Sequence, residues 1–453
     1  MISCHSSVII KPFHYEINRY KMKWSIFLTI LALYLASSSS SAALLKSYEG
    51  YKLLRITAQN QKHLSVLLEL RDAWENTEPH PSALVNFWSE PAINFPTDLM
   101  VTPDAISKVN EILEGNSIPY SVQMENVETL VQNQLAMNQA ALSAAPGDER
   151  IGWTAYNRYD AVMEWLDELA ANYSSIATVE SIGQSTEGRE LKLIKVATPG
   201  GVPNKKAIFI DGTFHAREWI SPAVVTYIIN QLVTNSSAYA HILDNIDFYL
   251  LPIVNPDGYE FTHTSQRLWR KTRSVINGST CLGVDPNRNF DIDFGGSGSS
   301  TSPCAETYLG TAPFNIPETR LLSQYIRLNS NKFKAYLSMH SYSQAWLTPY
   351  AWSASPPPFF SDIMSVGTKA IESLQAVYGT RYVVGPTSTT LYFHSGASQD
   401  WTKDVTSIKY TYTVELRDTG DFGFLLPPNQ ILPTSVETWA AVQTVAREIM
   451  TEI

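Results

Sequence analysis

Cysteine is scarce in this chain, with three residues among 453. Setting Cys4 aside leaves Cys281 and Cys304, enough for one bridge. Charge is sparse too: charged residues make up 17% of the chain, and no Lys/Arg-rich block interrupts a net charge of −10. That balance argues against nucleic acid or an anionic membrane surface as a partner. The apolar run Trp24–Ala36 has thirteen residues, short of the roughly 20 that a membrane helix needs. No internal repeat stands out, which sets repeat architectures aside.

What is present points to a globular, exported protein. A chain of 453 residues that is 44% hydrophobic supports a large core and about two or three domains. Lys21 and Lys23 precede the Trp24–Ala36 run, and Ser41, Ala42 and Ala43 follow it. A basic lead, an apolar centre and small residues for cleavage read as a secretory signal within residues 1–42. A buried core helix is the alternative. Residues 1–21 form a long lead, so Met22 is a candidate true start, which removes Cys4 from the mature chain. A secreted, extracellular location is expected. There an even pair of cysteines reads as one disulfide, worth about 3 kcal/mol in the chain-entropy model, with free thiols as the alternative. Asn172, Asn235 and Asn277 open glycosylation sequons and agree with secretion.

Two folded parts follow. Tyr51–Ile56 alternates like a strand, and His63–Trp74 has helical spacing. Leu84–Trp88 and Asp98–Val101 read as strands. A helix is expected to start at Thr102–Asp104, and Tyr120–Met124 closes the set. Strand, helix, two strands, helix, strand is the α+β ferredoxin-like order. Val127, Leu130, Val131 and Leu135 give a connecting helix. Ala144–Arg150 is a small-residue, Pro/Gly linker with a charged tip suited to nicking, and Arg150 would suit a trypsin-like protease. From 151 to 453 strands alternate with helices. Ala207–Asp211, Phe248–Val254, Phe333–His340 and Tyr410–Leu416 are apolar, β-branched or aromatic runs. Ser221 is expected to cap the helix that carries Val224, Val225, Ile228, Ile229 and Leu232. This is an α/β domain with a mixed, mostly buried sheet flanked by helices.

The chemistry gathers at strand ends. Ligands of open α/β sheets sit beyond the carboxyl ends of strands. His215 and Glu218 follow one expected strand, His340 ends another, and Glu415 lies near the end of a third. Two histidines and one carboxylate leave a position open on a tetrahedral zinc, the pattern of a catalytic site. A second carboxylate would then move protons, and Glu415 is the candidate. Its alternative is a buried pair with Arg417. Alone, His215-x-x-Glu218 is a weak signal.

Six segments remove that weakness. They are Asp211–Ile220, Pro252–Tyr259, Arg267–Ser274, Gly283–Phe290, His340–Gln344 and Glu415–Gly420. In content, order and spacing they resemble the pancreatic-type zinc metallocarboxypeptidases of the A/B subfamily. The resemblance covers 151–453, and residues 43–150 resemble the activation segment of that family. It implies the zinc carboxypeptidase fold, with His215, Glu218 and His340 as zinc ligands and Glu415 as general base. Arg270 matches the arginine that steadies the oxyanion. Asn287, Arg288 and Tyr392 match the grip on a terminal carboxylate, which restricts such enzymes to chain ends. Arg217, Ser341, Tyr342 and Phe424 match more distant substrate subsites. Cys281 and Cys304 match the family disulfide. Non-proline cis peptides are implied at Ser341–Tyr342, Pro349–Tyr350 and Arg417–Asp418.

The resemblance implies a secreted zymogen, cut near Arg150, that removes C-terminal residues from peptides and proteins. A monomer is expected, with no nucleic acid and no membrane as partner. Its departure from the family lies at Gln399, the floor of the pocket for the departing residue, where the A type is apolar and the B type has Asp. An uncharged amide points to A-like, neutral C-terminal residues. Thr387 and His394 line the same pocket and are polar. Either wall residues or water satisfy Gln399, or the pocket tolerates polar side chains. Two rival functions exist. A deacylase of small N-acyl amino acids would need neither Tyr392 nor an activation segment. A silent peptide binder should have lost a ligand or Glu415, and both are kept.

Overall fold

The computed structural model describes residues 45–74, 84–144 and 151–452. Cys4, Met22, the signal-like run at 24–36 and the linker tip at Arg150 lie outside the described residues. Lys46–Ile453 form one compact unit. No helix among the described residues is long and apolar enough to cross a membrane.

The N-terminal part is a four-stranded antiparallel sheet. Its strands are β1 (Lys52–Thr57), β2 (Val85–Phe87), β3 (Pro96–Val101) and β4 (Tyr120–Met124), in the order β2-β3-β1-β4. Helices α1 (Gln61–Trp74) and α2 (Ile106–Gly115) complete the ferredoxin-like order. The second helix begins later than Thr102–Asp104 because those residues form a turn and Ala105 holds the N-cap position without a side-chain cap. Strand alternation sorts the side chains. Leu54, Ile56, Leu99 and Val101 pack against Leu67, Leu70, Val109 and Leu113 of the helices. Leu53, Met100 and Met124 face the other way and bury against Leu268, Phe424 and Leu425 of the C-terminal part. The sheet therefore lies face-down on its neighbour. Helix α3 (Val127–Ala144) runs on from it.

The C-terminal part is built on an eight-stranded mixed sheet of order β11-β10-β12-β9-β7-β8-β6-β5. Its strands are β5 (Ala177–Gln184), β6 (Glu190–Val196), β7 (Lys206–Gly212), β8 (Ile246–Leu251), β9 (Phe333–Ser341), β10 (Ala345–Thr348), β11 (Val383–Pro386) and β12 (Tyr410–Leu416). The centre is parallel: β12 pairs with β9, β9 with β7 and β7 with β8. Helices of eight residues or more are α4 (Tyr159–Asn172), α5 (Ile220–Thr234), α6 (Pro256–Thr264), α7 (Pro317–Asn329), α8 (Phe360–Tyr378), α9 (Ser398–Val405) and α10 (Ile431–Met450). Along β7, Ile208 and Ile210 join one core with Val224, Ile228 and Val442, while Ala207 and Phe209 join the other with Tyr249, Phe333 and Trp401. A strand covered on both faces reads as a continuous apolar run, which is why β7 was legible. Emptying one such position, as in Phe209→Ala, costs about 3–5 kcal/mol.

Ser221 departs from expectation. Helix α5 starts at Ile220 after Trp219, with no side-chain cap. Ser221 Oγ is committed elsewhere: it accepts from Thr213 N at 2.8 Å and donates to Met339 O at 2.6 Å. It ties the loop after β7 to the end of β9, a tertiary use that outweighs local capping. The three expected cis peptides, at Ser341–Tyr342, Pro349–Tyr350 and Arg417–Asp418, are present. Cys281 and Cys304 are bonded to each other. Asn172, Asn235 and Asn277 are all exposed.

Candidate metal centre and substrate cleft

Parallel register brings the chemistry together. Glu415 on β12 lies opposite His340 on β9, and Gly212 at the end of β7 lies opposite Met339. His215 and Glu218 follow β7 within a few residues. Ligand atoms of His215, Glu218 and His340 all fall within 4.8 Å of one another, and all three residues are buried. His215 Nδ1 is 2.6 Å from Glu218 Oε1, and His340 Nδ1 is 3.1 Å from Glu218 Oε2. Ser341 N donates to Glu218 Oε2 at 3.2 Å and helps hold the carboxylate.

The tautomer of His215 tests whether a cation fits. Its Nε2 lies 3.1 Å from Asp285 Oδ1, an acceptor. Nε2 then carries the proton, and Nδ1 of the neutral ring is a lone pair aimed at a carboxylate oxygen. Burial, with Arg270 adding to it, holds the His215 pKa below its ordinary value and keeps the ring neutral. The His215 lone pair facing Glu218, with His340 Nδ1 beside the same carboxylate, makes a site for a divalent cation, and the N/N/O set suits zinc.

Asp285 is the residue that sequence reading misses. Besides His215 it accepts from Arg270 Nε at 3.1 Å and Nη2 at 2.8 Å, and it is fully buried. One carboxylate thus orients a metal ligand and a guanidinium, fixing the ring's tautomer and direction. Its only trace in the sequence is its place in Gly283–Phe290, two residues before Asn287.

Glu415 stands beside the triad without joining it. Burial pushes its carboxyl up to about 8, with Glu218 adding to the rise and His340, Arg270 and Arg288 opposing it. It is not paired with Arg417. That arginine instead donates to Glu437 Oε1 at 2.7 Å, Gln430 Oε1 at 2.7 Å and Thr380 Oγ1 at 2.7 Å.

Around this centre lie the remaining expected residues. Arg288 is buried, with Nε on Gly298 O at 2.8 Å and Nη1 on Asn287 O at 2.9 Å. Its Nη2 has no partner among the described residues, a buried cationic donor left free for an anion. Asn287 accepts from Ser398 N at 2.9 Å. Tyr392 lies within electrostatic reach of Arg288, Arg270 and Glu415, with its ring 5.3 Å from His394. Gln399 is buried with no side-chain partner among the described residues, so the wall does not satisfy it. Thr387 Oγ1 is spent on Thr348 O at 3.1 Å.

The N-terminal sheet packs over Arg217, Tyr342 and Phe424. Arg217 Nη1 donates to Asn86 Oδ1 at 3.0 Å, and its guanidinium lies 4.1 Å over the Phe424 ring. Trp88 packs on Phe424 at 5.1 Å, and Tyr342 meets it at 5.0 Å. Helix α3 is anchored to the same body: Gln134 accepts from Arg267 Nε at 2.7 Å and donates to Leu426 O at 2.8 Å. Asn138 exchanges two bonds with the Tyr156 backbone, at 3.1 and 2.6 Å.

Comparison with known proteins agrees with this geometry. Residues 162–441 match the family described as zinc carboxypeptidase, and residues 54–134 match the carboxypeptidase activation peptide. Carboxypeptidase B of Rattus norvegicus is 37% identical over 93% of this chain and 99% of its own length. Carboxypeptidase A1 of Bos taurus is also 37% identical, over 90% and 96%. Carboxypeptidase B of Astacus astacus is 48% identical over 65% of this chain and 97% of its own. Among solved structures, thrombin-activatable fibrinolysis inhibitor aligns with a TM-score of 0.80 at 30% identity, covering 90% of this chain and all of that one. Carboxypeptidase A from Helicoverpa armigera aligns at 0.82 with 26% identity, covering 89% and 98%. The chain belongs to the zinc carboxypeptidase family, as a metallocarboxypeptidase preceded by its activation peptide.

Proposed function

We propose that this protein is a secreted zymogen whose mature enzyme removes neutral residues from the C-termini of peptides. The domains in this reading are 1–42 for the leader, 43–150 for the activation segment and 151–453 for the catalytic domain. The observation that carries it is the arrangement of one free cationic donor, Arg288 Nη2, beside a buried two-histidine, one-carboxylate cluster. A chain end is the peptide feature that offers such a donor a carboxylate next to a scissile bond.

His215, Glu218 and His340 would hold the zinc. When bound, zinc activates a water and polarises a carbonyl oxygen. The chain's own groups do the rest. Arg288, Asn287 and Tyr392 hold the terminal carboxylate. Arg270, fixed by Asp285, faces the charge that develops on the scissile oxygen. Glu415 takes the proton of the attacking water and returns it to the leaving nitrogen. Arg217, Ser341, Tyr342 and Phe424 receive upstream residues once the activation segment leaves.

Relatives of both A and B type are found, and Gln399 favours the neutral preference. Its amide offers no charge to pair with a C-terminal Lys or Arg. Cleavage by a trypsin-like protease near Arg150 would release activity, and the mature enzyme acts as a monomer. The deciding assay compares peptides with free and amidated C-termini, with and without chelator, before and after tryptic cleavage. Turnover of free C-termini alone, lost with chelator and raised by cleavage, is expected. Equal turnover of amidated peptides would refute the reading, and equal activity of intact and cleaved chains would refute the zymogen.

A further inference from the structure

Buried polar atoms without partners recur along one stretch of the chain that packs on Asn287 and Arg288. Gln399 is 0% exposed, and neither its Nε2 nor its Oε1 has a partner among the described residues. The same is true of His394 Nδ1 and Arg288 Nη2. Backbone contacts bring these groups together. Ser398 N donates to Asn287 Oδ1 at 2.9 Å, and Phe290 N donates to Gly396 O at 3.1 Å. The chain at Gly396 runs so close to Arg288 that a Cβ there would meet its carbonyl oxygen at 2.2 Å. On the opposite side His394 N donates to Ala351 O at 3.1 Å, and Ala351 N donates to Asp400 Oδ2 at 2.7 Å. Gln399 thus sits between the Asn287–Arg288 pair and the turn at Ala351.

The free donor on Arg288 is accounted for by a terminal carboxylate. The Gln399 amide is not. A buried amide that the protein leaves unpaired is destabilising, and Leu or Met would fill similar space without that penalty. What relieves it must both accept from Nε2 and donate to Oε1.

We infer that Gln399 selects substrates whose last residue carries a side-chain carboxamide, glutamine or asparagine. This rests on the carboxypeptidase reading above and names its substrate class. Two primary amides pair reciprocally: the substrate C=O accepts from Gln399 Nε2–H, and the substrate N–H donates to Gln399 Oε1. Lys supplies donors alone and leaves Nε2 unpaired. Glu supplies acceptors alone and sets a carboxylate against Oε1. Leu and Phe leave both atoms unpaired. A site built to hydrogen-bond its substrate rejects analogues that lack the group far more strongly than an apolar pocket rejects a missing methylene.

The test is kcat/KM of the tryptically activated enzyme on peptides identical except for a final Gln, Asn, Leu, Phe, Lys or Glu. Gln or Asn is expected to exceed Leu by about tenfold or more, and in Gln399→Met the Gln-to-Leu ratio is expected to fall by about 10- to 100-fold. A measurement on unaltered enzyme stands beside the variant: free L-glutamine or L-asparagine should compete with a peptide substrate better than L-norleucine. Leu or Phe preferred over both amides, with norleucine the better competitor, would overturn the inference and leave the neutral preference standing. An unchanged ratio in Gln399→Met would overturn it too. Lys as the preferred residue would overturn the neutral preference as well, and amidated peptides turned over as fast as free ones would remove the carboxypeptidase reading itself.

Discussion

Tyr342 donates its hydroxyl to Asp98 Oδ2 at 2.6 Å, joining the C-terminal part to the N-terminal sheet. Asp98 is almost fully buried and also receives Arg55 Nε and Nη2, both at 2.8 Å. One carboxylate of the activation segment therefore holds a side chain from each part.

Removing that carboxylate should loosen the cover. Asp98→Ala strands Arg55 and Tyr342 together, a loss of about 2 kcal/mol after allowing for the partial exposure of Arg55. The intact variant should hydrolyse peptides roughly 10- to 30-fold faster than the intact natural chain, while the two cleaved enzymes match. An intact variant as silent as the natural zymogen would show that other contacts hold the segment.

Glu415→Gln keeps the shape and removes the proton carrier. Turnover should fall by about 10²- to 10⁴-fold. Zinc content, measured by atomic absorption, should stay at one per chain. Loss of zinc along with activity would move Glu415 into the ligand set and refute its separate role.

Asp285→Asn tests the residue that binds both His215 and Arg270. An amide cannot accept from both as a carboxylate does, so zinc affinity should weaken about 10- to 100-fold. Competition with a chelator reads this directly, and kcat should fall as Arg270 loses its anchor. Unchanged affinity would confine Asp285 to Arg270.

Glu318 predicts a pH effect away from the centre. It is fully buried, its Oε2 has no partner among the described residues, and burial pushes its carboxyl from 4.5 up to about 7, with Asp257 adding to the rise. The sign follows from linkage. Unfolded, the group ionises near 4.5; folded, it keeps its proton to about 7. Stability contributed by this group is therefore present at low pH and lost as pH rises between those values, by about 3 kcal/mol in all. Glu318→Gln should abolish that slope. Urea unfolding at pH 4.5 and pH 8 would measure it, with the variant gaining on the natural chain at the higher pH. A gain that does not grow with pH would count against a protonated Glu318.

Much of the fold was legible because its strands are covered on both faces and its N-terminal part alternates in the ferredoxin-like order. The candidate zinc ligands were legible because short motifs carry them: His215 and Glu218 are three residues apart, and His340 ends a recognisable apolar run. Ser221 shows the limit of local rules. Its hydroxyl would cap a helix in isolation, but Thr213 and Met339 claim it once β7 and β9 are side by side. Asp285 shows another limit, since nothing in its neighbours along the chain says that His215 and Arg270 will meet on it.

By itself, then, the sequence determined the chemistry available: two histidines, two glutamates, a fork of arginine and an uncharged Gln399. It also determined the two folded parts, because periodicity and apolar runs are local properties of a chain. Only the tertiary structure decided which groups are paired. It turned Arg417 to Glu437 and left Glu415 beside the metal centre. It laid Asp98 and Asn86 across Tyr342 and Arg217, and left Gln399 with no partner among the described residues. Hydrogen bonds act over about 3 Å in space and are blind to separation in sequence, so such pairings appear only when the chain is folded.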